Sequence, residues 1–131
     1  MPAPFVHLRV HSAYSLAEST LRLKTIAALA GGDSQPAVAI TDSNNMFGAL
    51  EFSQKMRDSG VQPIIGLECL LADSRGDGEV VLLAQSEAGY AALCRHNSKA
   101  LLEVEGGDDP VIGLDALAQD CDGLILLTGG A

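Results

Sequence analysis

Residues 7–15 read HLRVHSAYS, so His7, Arg9 and His11 recur at every second position. In a β-strand that spacing sets all three on one face. Asp42 follows the apolar run PAVAIT, and Glu68 lies two residues after Gly66 in QPIIGLECLLA. An imidazole with two carboxylates suits Zn, Mn or Fe. His11, Asp42 and Glu68 therefore form a candidate ligand set, if the fold carries three distant segments to one mouth. Each residue also has a plainer use. His11 can hydrogen-bond at a strand end, Asp42 can cap a helix or brace the Asn44-Asn45 turn, and Glu68 can be a satisfied strand carboxylate. Arg9 bears on the choice. A guanidinium has five donors, no lone pair and a permanent charge. It cannot ligate an ion and would repel one in the same mouth. It can neutralise buried carboxylates, whose unpaired burial costs several kcal/mol. Two chemistries stay open: a metal centre on His11, Asp42 and Glu68, or a charge cluster in which Arg9 pairs with Asp42 and Glu68 in place of an ion. His96, among Arg95, Asn97 and Lys99, reads as exposed.

The elements that must position these groups follow from periodicity. Phe5–His11 alternates, with Val6, Leu8 and Val10 on an apolar face. Ser19 or Thr20 can cap a helix whose stripe is Leu23, Ile26, Ala27 and Ala30, stopped by Gly31-Gly32 in a left-handed cap. Residues 36–41 are apolar on both faces, as in a central parallel strand. Asn44 or Asn45 can cap a second helix that buries Ala49, Phe52 and Met56 and ends at Gly60. Residues 62–72 and 80–84 are strands joined as a hairpin through 74–79. Ser86 opens a third helix with Tyr90, Leu93, Cys94, Asn97 and Leu101 on one side. A loop, a short helix at 113–119 and a last strand at 123–128 complete the chain. This order predicts an α/β fold with a largely parallel sheet. In such folds ligand groups gather beyond the C-terminal strand ends, where Arg9, His11, Asp42 and Glu68 fall. No internal repeat or low-complexity tract is present.

Composition narrows the classes. The 131 residues are 47% apolar but only 4% aromatic, with no Trp, so the core must be aliphatic. Cys69, Cys94 and Cys121 are odd in number and far apart, the pattern of reduced cytosolic thiols. The N-terminus lacks the basic and apolar regions of a signal peptide, and no apolar run approaches the ~20 residues of a membrane helix. A soluble cytoplasmic protein is expected. Net charge is −9; residues 1–66 carry five acids and five bases, and residues 67–131 carry twelve acids against Arg75, Arg95 and Lys99. The acidic half repels phosphate backbones and is not expected to grip DNA. The final Gly129-Gly130-Ala131 directly follows an apolar strand, which suggests an excised piece of a longer protein.

The segments FVHLRVHSAYSL, AITDSNNMFGALEF, GVQPIIGLECLLA, VVLLAQSEAGYAALC and GLILLTGGA, in this order and spacing, resemble the polymerase and histidinol phosphatase (PHP) domain that begins bacterial DNA polymerase III α subunits, the replicative proteobacterial kind above all. The resemblance implies a distorted barrel of about seven β/α units, of which residues 1–131 would be the first part, cut from a far longer polymerase. Metal-binding members read HxH in the first strand. Here Arg9 replaces the first His, and His11 matches the second. Asp42 matches, but Ser43 stands where a His would follow it. Glu68 matches, Glu79 stands where a ligand His is expected, and Gly130 stands where a Cys is expected. The resemblance thus implies no metal centre in this segment and no phosphoesterase or 3′–5′ exonuclease activity. It implies instead a scaffold that docks a separate proofreading exonuclease subunit. The whole subunit would synthesise DNA with Mg²⁺, holding DNA through other domains. The alternative is a metal-dependent PHP phosphoesterase or 3′–5′ exonuclease using His11, Asp42 and Glu68.

Overall fold

A computed structural model describes residues 5–16 and 18–128. Five strands, Ala37–Ile40 (β1), Gln62–Asp73 (β2), Gly76–Ala84 (β3), Val111–Gly113 (β4) and Leu124–Leu127 (β5), form one sheet. Its helices are Leu23–Gly32 (α1), Ala49–Asp58 (α2), Glu87–Glu103 (α3) and Leu114–Gln119 (α4). β2 is the spine. It runs parallel to β1 and to β4 and antiparallel to β3, which is in turn antiparallel to β5. The fold is α/β as expected, but the sheet is mixed rather than largely parallel. The reason lies at residues 73–76, where Asp73 pairs directly with Gly76. So short a link permits only an antiparallel return, since a parallel crossover needs a dozen residues or more. Gly76, at φ 128°, supplies backbone freedom for the turn, and Asp73 Oδ1 accepts the Arg75 N–H at 2.7 Å.

Alternation along the strands divides the core. Val38 and Ile40 pack with Leu23, Ile26, Ala27 and Ala30 of α1 and with Phe52 and Met56 of α2. Leu67, Cys69, Val80 and Leu82 pack with Leu93 and Ala100 of α3 and Leu117 of α4. The intervening residues Ala39, Val81 and Leu83 form a small cluster on the opposite face. The face of the sheet that carries Glu68 and Glu79 is therefore the one away from the helices.

Residues 5–11 do not form a full strand. His7 bridges Val38; Ala39 N donates to His7 O, and Thr41 N donates to Val10 O. Three residue steps on this segment (7 to 10) thus face two on β1 (39 to 41), the signature of a β-bulge. The bulge breaks the expected alternation: Leu8 is exposed, whereas Val10 packs against the α1/α2 core.

The helix ends also differ in part. Arg22 and Gly48 occupy the N-caps of α1 and α2 without side-chain capping bonds. Ser19 Oγ instead donates to His11 O, and Asn45 Nδ2 donates to Tyr14 O and Ser43 O. Their oxygens are engaged before the helices begin, Ser19 Oγ accepting from Leu21 N at 3.2 Å and Asn45 Oδ1 from Phe47 N at 3.3 Å, so neither caps a first turn. After α1 the left-handed residue is Ser34, not a glycine. Ser86 does cap α3, accepting from Gly89 N at 3.2 Å. The buried face of α3 is Gly89, Ala92, Leu93, His96, Asn97 and Ala100, while Tyr90 and Leu101 are exposed. Gly89 sets this rotation, because a Cβ there would overlap the Gly123 carbonyl oxygen. The same rotation buries His96, whose Nε2–H donates to Asp120 O at 2.7 Å. No helix among the described residues is long and apolar enough to cross a membrane.

Candidate functional site

The bulge aims Arg9 across the sheet. Its Nε donates to Glu68 Oε2 at 2.9 Å and its Nη2 to Glu68 Oε1 at 2.8 Å, a bidentate pair. Nη2 also reaches Glu79 Oε1 at 3.2 Å. Glu68 lies opposite Val81, and Leu70 opposite Glu79, in the β2–β3 ladder. The two carboxylates are therefore diagonal neighbours on one face, and the guanidinium sits between them. The Glu68 side chain is 4% exposed and that of Arg9 41%.

His11 holds the same carboxylate from the other side, with Nε2 2.5 Å from Glu68 Oε2. Its Nδ1 lies 3.2 Å from Glu18 Oε2, and Glu18 Oε2 also accepts from Ser43 Oγ at 2.6 Å. Burial pushes the Glu68 carboxyl up, but hydrogen bonds from Arg9 and His11, with their charges, outweigh it and hold the group below the usual carboxylate range. The hydrogen bonds that Arg9 donates to Glu68 raise Arg9 in turn. Next in sequence, burial and then the Glu68 charge push the Cys69 thiol up to about 12. At neutral pH it is a packed thiol, not a nucleophile.

Asp42 stands at this mouth by its backbone, since Glu68 N donates to Asp42 O. Its buried carboxylate turns elsewhere. Oδ1 accepts from Ser12 N at 2.6 Å and from Ser15 Oγ at 2.7 Å, and Oδ2 accepts from Ser12 Oγ at 2.7 Å. Ser15 Oγ in turn accepts from Ser43 N at 3.0 Å. The expected cluster of Arg9, Asp42 and Glu68 is therefore corrected: Arg9 pairs with Glu68 and Glu79, and Asp42 locks the 12–15 turn onto the end of β1. Three serine donors already satisfy Asp42, whereas Glu79 lies across the ladder with its oxygen free to accept. Residues 12, 15 and 18 went unread in the sequence, though the run of Ser12, Ser15 and Ser19 after an alternating segment is a turn signal.

Beside the ion pair lies a cavity of about 200 Å³ bordered by Glu18, Glu68, Glu79 and Asp109, with Ser43 and Asn44 at its rim. Among the described residues no group of three or more His, Cys, Asp or Glu side chains has metal-holding geometry. Gly130 lies outside the described residues. Chemically, the arrangement holds charge: each carboxylate oxygen of Glu68 already accepts from a cation or an imidazole.

A profile of the PHP domain family matches residues 7–131. The chain is 41% identical over 134 residues to the DNA polymerase III subunit alpha of Caulobacter vibrioides, a match covering 96% of this chain and 12% of that protein. Against the same subunit of Escherichia coli K12 it is 36% identical over 129 residues, covering 96% and 11%. Against an error-prone DNA polymerase of Symbiobacterium thermophilum it is 39% identical over 140 residues, covering 95% and 13%. The chain thus spans 11–13% of the length of these three relatives. Among solved structures, a putative metal-dependent phosphoesterase from Bifidobacterium adolescentis superposes with TM-score 0.61 at 17% identity, over 76% of this chain and 34% of the other. An amidohydrolase from Chromobacterium violaceum, solved with bound sulfate and no metal, gives TM-score 0.59 at 21% identity, over 72% and 32%. At such identity these two are relatives in fold.

Proposed function

This chain belongs to the PHP domain family, and on that premise we propose that it is the PHP domain of a bacterial DNA polymerase III α subunit, serving as a metal-free scaffold and as a docking site for a separate proofreading exonuclease subunit. In this reading the rest of a longer polypeptide binds DNA and carries out nucleotidyl transfer with Mg²⁺. The acidic second half of the chain supports it, since that surface disfavours phosphate contact.

The observation that carries the proposal is the grip of Arg9 on Glu68 and Glu79. Residues that would hold a divalent ion in the family do not fit one here. A permanent cation occupies the Glu68 carboxylate, Asp42 is turned onto three donors of Ser12 and Ser15, and Ser43 and Glu79 stand where the family resemblance expects imidazoles. A second positive charge in contact with Glu68 would be repelled by the guanidinium. Hydrolytic chemistry that depends on metal-activated water is therefore not assigned to this mouth, and proofreading would have to come from a separate subunit.

Isothermal titration with Mn²⁺ and Zn²⁺, combined with a 3′-labelled primer assay, tests the scaffold reading. The expected result is neither stoichiometric binding nor metal-dependent release of nucleotides. Binding of one or more ions per chain, with turnover abolished in Asp42→Asn while its circular dichroism stays native, would assign a PHP phosphoesterase or exonuclease instead. Docking is read separately by co-elution with the exonuclease subunit of the same organism in gel filtration.

A further inference from the structure

We draw no further inference here: the strongest candidate, the exposed apolar patch of Tyr14, Leu16, Phe47 and Leu50 around the N-terminal end of α2, carries nothing because no feature of the structure shows what covers it.

Discussion

Replacing Arg9 by Met keeps much of the side-chain volume and removes the charge that Glu68 faces. Breaking a fully buried ion pair from one side costs about 3–5 kcal/mol. Two features lower that figure here. The Arg9 side chain is 41% exposed, so solvent screens the pair, and His11 remains on Glu68 Oε2. The expected loss is about 2 kcal/mol. Unfolding entropy of about 2.1 cal/mol/K per residue gives about 0.28 kcal/mol/K for 131 residues. Arg9→Met should therefore lower Tm by about 7 °C at pH 7, read by circular dichroism. Glu79→Gln is the control. Its contact at 3.2 Å is exposed on both sides, so its cost should stay below about 0.5 kcal/mol.

The pH dependence adds a second reading. The Glu68 carboxyl is held below its ordinary value of 4.5. A depressed carboxylate stabilises the fold fully above that value, and the contribution disappears as pH falls through the folded-state pKa. The gap between wild type and Arg9→Met should be full at neutral pH and close in acid below 4.5. A variant that melts within about 2 °C of wild type, or a gap that persists in acid, refutes the claim that Arg9 neutralises Glu68.

Other expectations follow from the same contacts. Asp42→Ala strands three donors of the buried Ser12 and Ser15 and should cost about 4 kcal/mol in urea unfolding, charged hydrogen bonds contributing about 1.5–3 kcal/mol each and not adding fully; Asp42→Asn keeps an acceptor and should cost about half as much. An effect under about 1 kcal/mol for Asp42→Ala would show that the turn is held by other contacts. Gly89→Ala would gain about 1 kcal/mol in an open helix, but its methyl meets the Gly123 backbone. We expect net destabilisation and faster amide exchange across Leu124–Leu127; a stabilised variant would mean that α3 does not need this approach.

Much of the fold was legible because burial imposes periodicity. The stripe of α1 and the buried positions of α2 follow the apolar spacing of their sequences; the link between β2 and β3 is only Ser74-Arg75, and the expected turn over 74–79 ran too far because Gly76-Asp77-Gly78 already pair with β2. Other features depend on contacts that no local pattern encodes. The rotation of α3 is set by a glycine meeting another glycine 34 residues later, so the larger residues Tyr90 and Leu101 lost the core to Ala92 and Ala100. β4 is three residues long and pairs only through its ladder to β2, too short for alternation to reveal. At the site, Arg9 and Glu68 were legible as opposite charges at strand positions. Glu79 as the second acceptor was not, because it depends on hairpin register. Asp42 was drawn away by Ser12 and Ser15, and neither serine has spacing that names its partner.

The β2–β3 hairpin has a consequence for the order in which the chain assembles. Its eight register pairs run from Asp73 with Gly76 to Gly66 with Leu83, so they close loops of three to seventeen residues. The Arg9–Glu68 pair must close 59. Loop entropy favours the hairpin zipping first and the N-terminal segment latching on after the rate-limiting barrier. Loss of the latch would then leave the refolding arm of a stopped-flow chevron in place and accelerate the unfolding arm, by about 30-fold for 2 kcal/mol; a slowed refolding arm would mean that residues 5–11 belong to the nucleus.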